Sequence, residues 1–103
     1  MSKADTFNDI LEIVAREIEI EADVILSSCR RCEVVDARYM LVNALQRHGF
    51  YNNSIATMMN LSIRAVEIMT ERFQDRQERS GFMFKLISSR ISKHIRSLTA
   101  IND

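Results

Sequence analysis

Residues 52–73 read NNSIATMMNLSIRAVEIMTERF, and this stretch predicts two helices joined by a tight turn. The first helix is short, at about residues 54–59, and a polar-apolar-polar turn follows at residues 60–62. Ser62 is a good N-cap for the second helix, which begins at Ile63 and carries its apolar anchors on one side. Two helices in this order, with a three-residue turn between them, follow the plan of a helix-turn-helix.

The rest of the chain has the same helical periodicity, which predicts an all-α fold, a compact bundle of about six helices. Long stretches of helix formers run without proline, and no segment alternates as a strand would. The only glycines are Gly49 and Gly81, and each predicts a helix end. Helix 33–48 is apolar on more than one face, which predicts a central position. The predicted helices lie at about residues 7–18, 22–26, 33–48, 54–59, 63–79 and 82–98, with Asp5 or Thr6 capping the first and Asn52 or Asn53 capping the fourth.

The length and composition predict one folded domain and argue against several classes of protein. The chain has 103 residues, of which 47% are hydrophobic and 27% are charged, as in a typical globular domain. No apolar run approaches the roughly 20 residues of a membrane span, and the first residues do not resemble a signal peptide, so a cytoplasmic protein is expected. A Gly-rich phosphate loop is absent from the sequence, and so short a chain has little room for an enzyme cleft. We therefore expect no enzyme activity, no nucleotide and no cofactor.

The net charge is zero, but the charges are unevenly distributed along the chain. Residues 1–27 contain seven acidic and two basic side chains, whereas residues 28–79 contain eight arginines and six acids. Residues 80–103 contain four basic side chains and one acid. A neutral total argues against a nonspecific DNA coat, but it allows a protein with one basic face and an acidic back.

Two cysteines, Cys29 and Cys32, form a single C-x-x-C sequence. A thioredoxin-like redox site would need a neighbouring βαβ pattern, which the sequence lacks. A zinc site would need further ligands, and only His48 and His94 are available, at unsuitable spacing. The pattern therefore favours reduced thiols and no metal.

Four stretches in a fixed order carry a resemblance to a known family. They are ADVILS at 22–27, the basic SCRRC at 28–32, VVDARYMLV at 34–42 and IATMMNLSIRAV at 55–66. In this order and spacing, with about one gap near Asn60, the chain from Ile10 to Ile95 resembles the C-terminal DNA-binding domain of the bacterial replication initiator DnaA. That domain belongs to the Trp-repressor-like helix-turn-helix group.

The resemblance implies an all-α fold, a double-stranded DNA partner and particular contact residues. It implies that Arg30, with Arg31 beside it, enters a minor groove, and that Arg38 contacts DNA at the start of the long helix. Tyr39 departs from the Gln or His of the family, and the family's D-H-[ST]-T signature is replaced by the sequence SIRA at 62–65. The resemblance therefore implies an altered sequence preference, in a chain that carries no ATPase module.

The first functional hypothesis is a small DNA-binding regulator, for which a homodimer is a candidate form. The exposed start of the second helix would reach base edges in the major groove, where Arg64 suits guanine and Ile63 suits a thymine methyl group. Ser54 would hold a phosphate at the start of the fourth helix. The expected DNA contacts are Arg30, Arg31, Arg38, Ser54, Ser62, Ile63, Arg64 and Glu67.

The second hypothesis is a relative that has lost DNA binding and acts in protein–protein interaction or dimerisation. Glu67 and Glu71 on the second helix would repel phosphate, and the first helix is acidic. Arg38 can instead pair with Asp36, with Glu33 or with an acid of the first helix. Apolar side chains on the last helix, off its main stripe, would then form a surface for a partner.

Overall fold

Seven helices and no strand make up residues 2–98, the part of the chain that this computed structural model describes. The prediction of an all-α fold with about six helices is confirmed, and the count is seven because the predicted helix at 63–79 is two helices. No helix in this part of the chain is both long enough and apolar enough to cross a bilayer. The helices are α1 Lys3–Ile18, α2 Ala22–Ile25, α3 Cys32–Arg47, α4 Asn52–Met59, α5 Ile63–Glu71, α6 Phe73–Ser80 and α7 Phe82–Ile95.

Helix α3 lies at the centre and contacts each of the other six helices, as its wide apolar surface predicts. Its partners α1 and α7 each turn one apolar stripe toward it, and they also pack against each other. Burying one Ile or Leu side chain contributes about 2 kcal/mol, so this three-helix contact supplies most of the core. The buried apolar residues of the three helices are Phe7, Ile10, Leu11, Val14, Val34, Ala37, Met40, Leu41, Val42, Ala44, Leu45, Phe84, Ile91 and Ile95.

A charged contact closes the packing of α1 against α7. The Glu17 carboxylate, with its side chain only 10% exposed, lies 2.8 Å from Arg90 Nε. Its second oxygen lies 3.2 Å from His94 Nε2. Two groups from α7 therefore hold one nearly buried acid of α1.

The N-terminus of α1 is capped by Ser2, so the prediction of Asp5 or Thr6 as the cap is wrong. Ser2 Oγ accepts a hydrogen bond from the backbone N–H of Asp5 at 3.1 Å. The Asp5 carboxylate accepts one in return from the Ser2 N–H at 3.4 Å. This reciprocal capping box satisfies two otherwise unpaired N–H groups, and the helix begins at Lys3, four residues before the predicted start at Phe7.

Three helices end in the same way, with a residue in the left-handed backbone region. The predicted end at Gly49 is confirmed, and its φ of 109° is one that glycine adopts without strain. The other two left-handed residues are not glycines. The residues of positive φ at these three ends are Glu19, Gly49 and Asn60. After each of them, the next N–H donates to a carbonyl five residues back: Ile20 to Ala15, Phe50 to Leu45 and Leu61 to Ala56. Gly81 also has a positive φ, of 83°, and it ends α6.

The predicted helix at 63–79 is broken at Arg72 into α5 and α6. The break lets α6 turn back along α3, with Phe73 packed on Phe84 at a ring-centroid distance of 5.6 Å. Local sequence does not predict this break, since residues 71–79 are good helix formers. Tertiary contacts with residues distant in the chain therefore decide it.

Candidate nucleic-acid interface

Helices α4 and α5 are joined by the three residues 60–62. Asn60 adopts a φ of 55°, and the Leu61 N–H bonds to the Ala56 carbonyl at 2.8 Å. Ser62 Oγ then accepts the N–H of Ala65 at 3.0 Å, which confirms Ser62 as the N-cap of α5. The predicted caps of α4 are wrong, because that helix begins at Asn52 with Tyr51 at its N-cap and no side-chain cap.

The α4–α5 pair is fixed to the core by apolar anchors and by one amide side chain. Ile55 and Val66 are fully buried, one on each helix. Gln46 of α3 donates to Asn52 Oδ1 at 2.8 Å and to Thr70 Oγ1 at 2.6 Å. One α3 side chain thus joins both helices to the C-terminal end of α3.

The first turn of α5 is exposed and carries one arginine flanked by two acids. Ile63 is 51% exposed, and Ser62 beside it is also exposed. The Arg64 side chain is 67% exposed, and its Nη1 lies 3.6 Å from a carboxylate oxygen of both Glu67 and Glu71. Such exposed ion pairs contribute little to stability, so Arg64 is free to change partners. The single positive charge of Arg64, however, is smaller than the two negative charges of Glu67 and Glu71 beside it.

Arg38 donates hydrogen bonds to the backbone at the start of the basic loop, which connects α2 to α3 at residues 26–31. Its Nε donates to the Ile25 carbonyl at 2.8 Å, and its Nη2 donates to the Ser27 carbonyl at 2.5 Å. Arg38 is only 9% exposed. The Arg38 guanidinium therefore satisfies the carbonyls of Ile25 and Ser27, and its contact with DNA stays a prediction. It is a positioning residue for the loop.

Arg30 and Arg31 are both exposed on this loop, as the DNA-binding hypothesis requires. Arg31 Nε lies 3.6 Å from the Glu33 carboxylate. The backbone N–H and the side chain of Arg31 also bond to the Cys29 sulfur, and they hold the pKa of that thiol below its ordinary value. The loop thus combines two exposed cations with one thiol whose pKa is lowered by the hydrogen bonds from Arg31.

The expected contact residues fall into separate groups rather than one patch. Ser62, Ile63, Arg64 and Glu67 lie together at the start of α5. The basic loop precedes the N-terminus of α3, whereas Gln46 joins α5 to the other end of that helix. Fourteen residues of helix separate Cys32 from Gln46, a distance of about 21 Å at 1.5 Å per residue. Ser54 lies in the first turn of α4, where its Oγ accepts from Lys3 Nζ at 3.2 Å.

Sequence reasoning missed a further arginine cluster, on α6. Arg76 Nε lies 2.7 Å from Asp36 Oδ1, and Nη2 lies 3.2 Å from the Cys32 carbonyl. The same guanidinium lies 5.2 Å from the centroid of the Tyr39 ring. The spacing of arginines at 72, 76 and 79 was the available signal, since it places them along one side of a helix.

Comparison with protein-family models, with curated proteins and with solved structures gave no match for this chain. Within residues 2–98, no three His, Cys, Asp or Glu side chains are grouped so that they could hold a metal ion.

Proposed function

We propose that this chain is a small DNA-binding protein, a sequence-preferring regulator without ATPase activity that works in the cytoplasm. In this proposal α4 and α5 form a helix-turn-helix and α5 enters the major groove. The observation that carries it is the exposed first turn of α5. Ser62 caps this turn, which bears Ile63 and Arg64. Ile55 and Val66 anchor the two helices in the core. A recognition helix needs this combination of a fixed axis and an accessible N-terminal turn.

At base edges, Arg64 is the residue that can pair bidentately with guanine, and Ile63 can contact a thymine methyl group. Ser62 and Glu67 lie on either side of them in the sequence and would tune the preference. To reach a base, Arg64 has to leave Glu67 and Glu71, which costs less than about 1 kcal/mol for each exposed pair.

The basic loop would supply a second, separate contact with DNA. Arg30 and Arg31 are exposed and would enter a minor groove or neutralise phosphates. The basic loop and α5 lie at opposite ends of α3, about 21 Å apart along that helix. This distance is shorter than one full turn of a duplex, about 34 Å, so the loop and α5 could enter neighbouring grooves. Ser54 would contribute a phosphate contact near α5, and Arg38 would hold the loop in place.

The direct test is fluorescence anisotropy of a pool of labelled random duplexes at two salt concentrations. Binding that weakens steeply with added salt supports the proposal, because phosphate neutralisation releases counterions. A folded helical protein that binds no duplex even at low salt would overturn it.

Three variants sharpen this test. Arg64→Ala should relax the sequence preference, whereas the double change Arg30→Ala and Arg31→Ala should weaken binding to all duplexes and reduce the salt slope by about two. Arg16→Ala is the matched control, since Arg16 is an exposed arginine among acids on α1. Equal losses for Arg16→Ala and Arg64→Ala would show a nonspecific charge effect.

A second candidate function is protein–protein interaction or dimerisation, and two observations favour it. Glu67 and Glu71 neutralise Arg64, and α7 exposes Phe82 (68%) and Met83 (61%) to solvent. Glu71→Gln separates the two functions. If α5 binds DNA, this change should strengthen binding about two- to fivefold by removing a repelling charge; if DNA affinity is absent, the variant should bind no better than the parent chain.

A further inference from the structure

A cleft of about 730 Å³ separates the N-terminal half of α3 from α6. It is lined by Cys32, Asp36 and Tyr39 on the α3 side, and by Arg72, Asp75, Arg76, Arg79 and Ser80 on the α6 side, so that three arginines face two acids. The proposed DNA contacts do not use this cleft. Its volume is within the range of small-molecule sites.

The charges in the cleft favour an anion. Arg76 is neutralised by Asp36, but the pair of Arg79 with Asp75 is long, at 3.6 Å, and both side chains are mostly exposed. Arg72 forms no ion pair with any residue among those that the structure describes. The exposed guanidinium groups of Arg72 and Arg79 are therefore accessible at the rim, and guanidinium binds carboxylates through two hydrogen bonds.

The two cysteines lie on either side of Arg31, the N-cap of α3, and Cys32 is the one that lines the cleft. Cys32 is the first residue of α3, is exposed, and has its Sγ 3.6 Å from Arg76 Nη2. The Cys29 sulfur accepts the backbone N–H of Arg31, which is the N-cap of the same helix. Both cysteines are free thiols.

We propose that this cleft binds an anionic low-molecular-weight disulfide, such as glutathione disulfide, and that Cys32 and Cys29 reduce it. The Cys32 thiolate attacks one sulfur of the bound disulfide, forms a mixed disulfide and releases one glutathione thiolate, which takes up the proton that Cys32 lost. The Cys29 thiolate then attacks the Cys32 sulfur, forms the Cys29–Cys32 disulfide and releases the second glutathione. The protein dithiol loses two electrons and the small disulfide gains them.

The surroundings of Cys29 suit the second step. Its pKa is lowered by the hydrogen bonds from Arg31, so a larger fraction is thiolate at neutral pH than for an ordinary thiol. The α6 arginines attract the carboxylates of the incoming disulfide, whereas Arg31 acts on the resolving thiol. This activity needs no DNA and is independent of the proposed regulator function.

The test compares three disulfides of different charge: anionic glutathione disulfide, neutral 2-hydroxyethyl disulfide and cationic cystamine. Each rate is expressed relative to the rate of the same disulfide with the neutral thiol 2-mercaptoethanol, because the leaving thiols differ in pKa. The reduced full-length protein is mixed with each, quenched with acid and analysed by mass spectrometry. We expect glutathione disulfide to react about tenfold faster than cystamine, the scale of a modest electrostatic attraction. Equal rates for all three would overturn the proposal.

Variants identify the residues. Arg72→Ala with Arg79→Ala should abolish the preference for the anion, whereas Arg16→Ala with Arg47→Ala, which removes the same charge at two exposed arginines elsewhere, should keep it. The Cys29→Ser protein should accumulate the mixed disulfide at Cys32. The Cys32→Ser protein retains only Cys29 and should form a mixed disulfide with glutathione slowly. A Cys32→Ser protein that reacts at the parent rate, or a preference that survives the loss of Arg72 and Arg79, would overturn the assignment. Circular dichroism of each variant verifies that the helices are intact.

Discussion

Arg76 and Arg64 lie on the consecutive helices α6 and α5, and each guanidinium contacts acidic side chains, yet the two are held very differently. Arg76 has a side chain 24% exposed, a 2.7 Å contact with Asp36 and further contacts with the Cys32 carbonyl and the Tyr39 ring. Arg64 has a side chain 67% exposed and only two contacts of 3.6 Å, both to acids of its own helix.

Two properties distinguish a structural arginine from one that is available for binding: how exposed its side chain is, and whether its partners lie on another helix or on its own. Arg76 joins α6 to α3, so removing it disturbs the fold. The partners of Arg64 lie on the same helix and give no cross-link, so Arg64 can exchange them for a ligand at small cost. Arg38 is the most buried of the three arginines, with 9% exposure, and it donates to the carbonyls of Ile25 and Ser27.

The largest effect is expected for Arg38→Ala. It leaves the carbonyls of Ile25 and Ser27 without their donor and opens a gap beneath the loop, which should lower the free energy of unfolding by about 3 kcal/mol. Urea denaturation measures this change. A loss below that of Arg76→Ala would contradict this order of the three arginines.

A smaller effect is expected for the contact between α6 and α3. Asp36→Ala and Arg76→Ala should each lower the free energy of unfolding by about 1–2 kcal/mol, with a coupling of about 1 kcal/mol in a double-mutant cycle. We expect moderate losses for the two single substitutions because both side chains are partly exposed to solvent, which screens their interaction. Additive single losses would show that the short distance carries no interaction energy.

Ser62→Ala tests how the first turn of α5 is fixed beside Arg64. Loss of the N-cap hydrogen bond to Ala65 should cost about 1 kcal/mol. Native-state hydrogen exchange should show faster exchange at the start of α5 and unchanged rates in α3. Uniform acceleration across both helices would mean that α5 has no separate local opening.

The smallest effect on stability is expected for Arg64→Ala. Its exposed pairs predict a change within about 0.5 kcal/mol, although the same substitution should cost about 1–3 kcal/mol of base discrimination if α5 reads DNA. Thermal unfolding and the random-duplex binding assay measure the two quantities on one sample. A large loss of stability would remove the distinction between Arg64 and Arg76.

The sequence predicts what depends on local pattern and fails where distant residues decide. The period of apolar residues, Gly49 and the Ser62 cap are local signals, and they correctly predict the all-α fold and two helix ends. The break at Arg72 and the burial of Arg38 depend on partners elsewhere in the chain, such as Phe84 and the Ile25 carbonyl. No local pattern encodes them. The DNA-contact residues remain predictions, since their exposure is known and their ligand is not.

The contact between α1 and α7 has a consequence for the order in which the chain folds during synthesis. Helix α1 can pack on α3 once residues up to 47 have emerged, but Glu17 meets Arg90 and His94 only when α7 is made. Until then the face of α1 that α7 covers is open, and the Glu17 carboxylate lacks its two partners. The last helix therefore completes the packing around α1, and we expect the backbone amides of α1 to exchange faster in a nascent chain that ends before α7.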